Sequence, residues 1–186
     1  MRTADSPTSP AAGFTLIEAM LALLIACLLL GVAVPAWSSA SEAVRAVDAR
    51  SAMQDTLFHA MRHAALADED VVLCPGDGTG CRNTWDWSGG WYAWTDLDGD
   101  HVHDAGEPVL RRQGPLPGRV HLRSTPGRRR LVLHPHGGAA AGTNVTFTLC
   151  DGRGPARAVA LVLGSSGRLH ASSPSPSAAS ACMASP

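Results

Sequence analysis

The chain has 186 residues, 45% of them hydrophobic and 17% charged, with a formal net charge of −1 at neutral pH. Beside a leader and a membrane segment, that length leaves room for one small domain and excludes a second large one. The hydrophobic share is enough for a core, and the net charge by itself neither supports nor opposes a nucleic-acid partner.

Residues 1–13 are polar and rich in Pro and Ser, with one basic residue, Arg2. They read as a leader. Phe14-Thr15-Leu16-Ile17-Glu18 follows, and then 18 uncharged residues, Ala19 to Ala36. At about 1.5 Å per residue this stretch is long enough, as a helix, to cross a ~30 Å hydrocarbon core, so residues 14–36 are expected to span a membrane. Glu18 is the informative residue. A carboxylate in a spanning helix costs roughly 2.5–3.5 kcal/mol at the bilayer centre and less near the interface. An ordinary signal peptide or anchor has no use for that cost, whereas a filament subunit does. Cleavage after Gly13 would give Phe14 a free amine, which Glu18 of a neighbouring subunit would neutralise in an apolar filament core. The competing reading is a secretory signal peptide cut near Ser38-Ser39-Ala40, which leaves Glu18 unexplained.

Residues 37–67 are expected to continue as an amphipathic helix. Val44, Val47, Met53, Leu57, Met61 and Ala64 or Ala65 recur at three- and four-residue steps, with Glu42, Arg45, Asp48, Arg62 and His63 largely elsewhere. Pro35 marks the place for a kink. From residue 68 to 171 the pattern changes to short strands separated by Gly, Pro and Asp. The expected strands are Val71–Cys74, Gly90–Thr95, Val109–Gln113, Arg119–Ser124, Arg130–His134, Val145–Cys150, Arg157–Leu163 and Gly167–Ala171. Residues 172–186 read as a Ser/Pro-rich, low-complexity tail. The fold class that follows is α+β: one long N-terminal helix, half of it transmembrane, packed on a β-rich head.

Charge divides this head. Leu66 to Glu107 holds ten carboxylates and one cation, Arg82, whereas Pro108 to His170 holds ten arginines and one carboxylate, Asp151. Lysine is absent from the chain, which the abundance of Arg, Ala, Gly and Pro traces to genome composition. Of five cysteines, Cys27 lies in the apolar run. The other four, Cys74, Cys81, Cys150 and Cys182, suggest two disulfides in an exported protein. Four cysteines allow three connectivities. The short Gly/Asp-rich loop favours Cys74 with Cys81, leaving Cys150 to hold the tail through Cys182. Zinc is the alternative, although no CxxC pair exists.

Asp96, Asp98, Asp100, Asp104 and Glu107 fall at positions 1, 3, 5, 9 and 12 of a loop, with the Val102 carbonyl at position 7. This is EF-hand-like spacing and offers calcium the hard oxygens it takes. Position 6 is His101 rather than glycine, and the plain alternative is a solvated hairpin loop. Arg128, Arg129, Arg130, Arg153, Arg157 and Arg168 would bind DNA phosphates if several shared a face, and otherwise form an ordinary ion-paired surface. His101/His103 and His134/His136 are weaker metal candidates. Trp85 and Trp87 alternate as residues on one strand face do, and core packing is the default for all of Trp85, Trp87, Trp91 and Trp94. Gly164-Ser-Ser-Gly167 is not a nucleophile elbow and no Ser/His/Asp set is arranged for catalysis, so no enzyme activity is expected.

Gly13-Phe14-Thr15-Leu16-Ile17-Glu18 resembles the prepilin cleavage motif of type IV pilins and type II secretion pseudopilins. The resemblance implies cleavage between Gly13 and Phe14 by an inner-membrane prepilin peptidase, N-methylation of Phe14, and assembly with other pilins or pseudopilins through Glu18. The head is similar to the GspH/FimT group. Val72-Leu-Cys74-Pro75, Trp87-Ser-Gly-Gly-Trp91, Asp96-Leu-Asp-Gly-Asp100, Gly106-Glu-Pro-Val-Leu110, Thr146-Phe-Thr-Leu-Cys150-Asp151, Ala156-Arg157 and Gly167-Arg168 carry the likeness. Members are minor subunits, either pseudopilins of type II secretion or minor pilins of type IV pili, and some FimT-like members are linked to DNA uptake through a Gly-Arg motif. The implied location is the inner membrane, single-pass, with the C-terminal head in the periplasm. No cofactor is implied beyond the calcium candidate.

Overall fold

The computed structural model describes residue 13, residues 15–136 and residues 144–184. The chain forms two compact units, residues 1–38 and 39–186. One helix, α1 (Leu16–Ala67), contributes to each. Its first turn is capped by Thr15, whose hydroxyl accepts the Glu18 backbone N–H at 3.3 Å. Helical assignment continues through Pro35, and the Ser38 hydroxyl donates to the Pro35 carbonyl at 2.9 Å. In the first unit every described side chain is exposed, including Leu21, Leu24, Ile25 and Leu28. This is the one helix among the described residues that is long and apolar enough to cross a membrane.

In the second unit α1 buries Ala46, Ala49, Met53, Leu57, Ala60 and Ala64, together with Glu42 and Thr56. The stripe is therefore phased differently from the expected one. Met53, Leu57 and Ala64 are inside and Met61 is partly so, but Val44 and Val47 are 60% and 54% exposed. The reason is size: four of the six apolar contact positions are alanine, and a search for large side chains overlooks them.

Eight strands follow: β1 (Asp70–Pro75), β2 (Trp91–Asp96), β3 (Val109–Gln113), β4 (His121–Ser124), β5 (Leu131–Leu133), β6 (Val145–Cys150), β7 (Val159–Leu163) and β8 (Leu169–Ser172). They form two antiparallel sheets, ordered β3-β2-β1-β5 and β4-β6-β7-β8. Because strand side chains alternate, Val71, Leu73 and Ala93 of the first sheet and Leu122, Phe147, Leu149 and Leu161 of the second join the core that includes the helix stripe. Trp91 ties β2 to α1, its indole N–H donating to Thr56 Oγ1 at 3.1 Å. On its other face the first sheet carries a second cluster, Val72, Cys74, Tyr92 and Trp94.

All eight expected strands are present, with ends shifted. β7 begins only at Val159 because Pro155–Arg157 form a 3-10 turn. Trp85 and Trp87 do not share a strand face: they lie in the β1–β2 connection, Trp85 44% exposed and Trp87 buried edge-on against Phe147 with ring centroids 5.1 Å apart. The Ser/Pro-rich tail is a further correction, because Pro176–Met183 form a helix, α2. Its cap is Ser175, whose hydroxyl accepts the Ala178 N–H at 3.2 Å, with Pro176 pre-set for the first turn.

Candidate functional site

At the N-terminus Gly13 is exposed with open space around it, and Phe14 lies outside the described residues. Glu18 stands exposed on the first turn of α1, and among the described residues it has no ion-pair partner. Of the reciprocal bonds of a capping box only one is made, from the Glu18 N–H to the Thr15 hydroxyl, which leaves the Glu18 carboxylate available.

The acidic loop joins β2 to β3. Asp96 and Glu107 are 4% and 8% exposed, and backbone amides hold all four of their carboxylate oxygens. Asp96 accepts from Gly99 N at 3.0 Å and His101 N at 3.2 Å. Glu107 accepts from Leu97 N at 2.9 Å and Asp104 N at 3.0 Å. Asp98, Asp100 and Asp104 face solvent. Ligand oxygens of Asp96, Asp98 and Glu107, and of Asp98, Asp100 and Asp104, lie within 4.8 Å of one another, so two triads share Asp98. His101 takes a left-handed backbone, φ 61°, at the position where an EF-hand loop places glycine. An all-oxygen set of this charge suits a hard divalent cation. His103 is occupied otherwise, packing edge-on against Tyr92 and Trp94 with centroids 5.6 Å from each. His134 pairs with Asp70 at 2.7 Å, and His136 is exposed.

The six arginines are divided between the two ends of the second sheet. Arg128, Arg129 and Arg130 follow β4, and Arg168 lies in the β7–β8 turn. Both connections sit at the Val145 end of β6. Arg153 and Arg157 lie in the β6–β7 connection at the opposite end, about 20 Å away along a six-residue strand. Arg129 donates to Asn83 Oδ1 at 2.8 Å. Arg153 grips the buried Asp151 through two side-chain bonds of 2.9 and 2.7 Å. Burial works to raise the Asp151 carboxyl, but hydrogen bonds from the Arg153 side chain and backbone, with the charges of Arg153 and Arg119, hold it below its usual range. Two disulfides close the head, Cys74–Cys81 and Cys150–Cys182.

Three features had no clear sequence signal. Glu42 is buried on α1, between Arg45 and Arg119. Arg123 clamps the end of α2 by donating to the carbonyls of Ala181 and Ala184. The helix α2 itself was signalled only by Ser175-Pro176 ahead of an alanine-rich stretch.

The family model for type II transport protein GspH matches residues 49–167, and that for the prokaryotic N-terminal methylation motif matches residues 8–34. Crystal structures of the Pseudomonas aeruginosa type IV minor pilin FimU have a similar fold. In space group P21 the TM-score is 0.55 at 15% identity, over 73% of this chain and 90% of that one. In space group P65 it is 0.51 at 17% identity, over 66% and 91%. At these identities the likeness shows the fold alone. No curated protein matches the chain significantly.

Proposed function

We propose, from the premise that the chain belongs to the type II transport protein GspH family, that it is a minor pseudopilin of a type II secretion system, a structural subunit at or near the tip of the filament. The prepilin motif and family imply processing by prepilin peptidase and assembly with other pilins. The observation that carries the reading is Glu18: an exposed carboxylate, without an ion-pair partner among the described residues, at the head of an apolar helix that is exposed on all sides. In this reading the inner membrane stores the processed subunit with its head in the periplasm. Assembly then moves Glu18 from lipid to the Phe14 amine of a neighbour, and the apolar helix from lipid to neighbouring helices.

A second reading is a FimT-like minor pilin of a type IV pilus, acting in pilus assembly or DNA uptake. The similarity to the fold of the minor pilin FimU favours it. The division of the arginines between two ends of one sheet narrows a DNA surface to Arg128, Arg129, Arg130 and Arg168. Calcium at the Asp96–Glu107 loop is a proposal compatible with either reading.

Glu18→Ala tests the shared mechanism. The variant is expected to be cut after Gly13 and to enter filaments at least tenfold less well, by shearing and immunoblot; normal incorporation sinks the charge-pairing step. Deletion of the gene separates the two systems. Loss of exoprotein secretion with pilus functions intact supports the pseudopilin, and the reverse supports the minor pilin.

A further inference from the structure

A groove of about 500 Å³ runs along the second sheet between β4, α2 and the Trp85 side chain. Its walls are carbon: the half-exposed Trp85 ring, Pro126, Pro174, Ala178 and Ala181. Polar groups that reach the groove are engaged within the chain. Ser124 Oγ donates to the Arg128 carbonyl, Ser175 Oγ accepts the Ala178 N–H, and the carbonyls of Ala181 and Ala184 hold the Arg123 guanidinium. A groove of this size and lining suits aliphatic side chains better than a hydrogen-bonding ligand. Its rim is positive. Arg129 donates to the neutral Asn83 Oδ1, two residues before Trp85, and makes no ion pair among the described residues. Arg128, whose carbonyl takes the Ser124 hydroxyl at the groove wall, adds a second cation.

The acidic loop offers the complementary surface. Leu97 and Val102 stand 54% and 53% exposed among Asp98, Asp100 and Asp104. None of these three carboxylates makes an ion pair among the described residues. The loop is braced from beneath, because Asp96 and Glu107 hold four of its backbone amides. It therefore loses little freedom when it docks.

Strand register separates the two surfaces. Asp96 pairs with Asp70, so the loop leaves the first sheet at the start of β1. Leu131 pairs with Leu73, so Arg129, two residues earlier, lies toward the Pro75 end. No residue of the loop lines the groove. One copy thus carries the apolar acidic tip and the apolar basic groove apart from each other, an arrangement suited to head-to-tail contact between copies.

We propose that Leu97 and Val102 of one copy seat in the Trp85–Ala178 groove of a second copy, with Asp98, Asp100 and Asp104 facing the arginines of its rim. The contact is heterologous, using a different patch on each partner.

The test uses the full chain in neutral detergent micelles with a calcium chelator, and reads association by sedimentation equilibrium. Wild type is expected to self-associate, less tightly as salt is raised. Leu97→Ser with Val102→Ser removes the apolar tip, and Ala178→Trp fills the groove. Each is expected to weaken association about tenfold or more. Arg129→Gln should weaken it about threefold and flatten the salt dependence. Intact disulfides and an unchanged Tm show that the variants are folded. Mixing the tip variant with the groove variant leaves one intact tip and one intact groove between them, so the mixture is expected to regain dimers and nothing larger. Equal association of wild type and both variants, including none, overturns the proposal. So does a mixture as weak as its components. A loss confined to Ala178→Trp, with the tip variant unaffected, also overturns it and assigns the groove to another segment.

Discussion

The two halves of α1 use small and apolar residues in opposite ways. Over residues 15–40 every described side chain is exposed, large ones included, so among the described residues this half has no apolar cover. Over residues 42–64 one stripe is buried, and four of its six apolar residues are alanine. The first half needs a bilayer or neighbouring helices around it; the second needs two sheets brought close to one side. A continuous helix thus changes its solvent requirement within a few residues, and the change is written in side-chain size as much as in hydrophobicity.

The largest break in this comparison is at the start of the first half. At Gly13 an added Cβ meets no described atom within 4 Å, so the expected effect of Gly13→Trp falls on processing. Uncleaved chain should persist, and N-terminal sequencing that still finds Phe14 first would argue against prepilin peptidase. In the head that packs on the second half, Asp151→Asn removes the carboxylate that Arg153 and Arg119 face. Breaking a buried ion pair from one side costs about 3 kcal/mol, or roughly 6–12 °C in Tm for a domain of this size. The carboxyl is held below its usual 3.8, so its stabilisation is complete above about pH 4 and disappears as pH falls through the lower folded value. The gap between wild type and variant should close in acid, and a gap that persists there would show that lost packing is responsible.

The same substitution in each half sharpens the contrast. Ala60 is 0% exposed, so Ala60→Leu overpacks the core and should cost about 1–3 kcal/mol. Ala26→Leu adds volume where nothing is packed and should leave the head's Tm unchanged within error. Equal effects would mean that the stripe is not a close-packed seam. The smallest expected effect is at the far end of the head. Millimolar calcium should stabilise the Asp96–Glu107 loop by ~1 kcal/mol and raise Tm by about 2–4 °C. Asp98→Asn, which removes the carboxylate common to both triads, should abolish the shift. An unmoved wild-type Tm would leave the loop purely structural.

Much of this molecule was legible beforehand, for physical reasons that differ by region. The spanning helix is legible because a bilayer demands a long uncharged run, and Glu18 stands out because that run makes a charge costly. The strands are legible because Val, Leu and Thr alternate between Gly and Pro turns, as in Val145-Thr-Phe-Thr-Leu. The disulfide pairs agree with the spacing. What escaped was set by neighbours distant in sequence. The phase of the alanine stripe depends on which face of α1 the strands cover. Trp85 and Trp87 part company because their segment is a loop that pairs with β4 only around Asp86 and Arg123, where Trp87 N–H donates to Leu122 and Ser124 N–H to Trp85. The division of the arginines follows from strand order, which linear spacing does not contain. Glu42 looked like an ordinary polar-face residue until Arg119 was folded back upon it.

The two disulfides have a mechanical consequence. Cys74–Cys81 and Cys150–Cys182 both lie beyond the end of α1, and neither reaches it. Cys74–Cys81 closes the loop after β1 and Cys150–Cys182 joins β6 to α2, whereas α1 is held without any covalent brace, by packing, by the Trp91–Thr56 hydrogen bond, by the Arg111–Asp55 and Arg119–Glu42 ion pairs, and by the short connection from Ala67 to Asp70. Tension applied to the helix, as when a subunit is drawn out of a bilayer, travels through these non-covalent contacts and the two residues, Asp68 and Glu69, that link α1 to β1. The joint between β6 and α2 is covalent and does not depend on that packing.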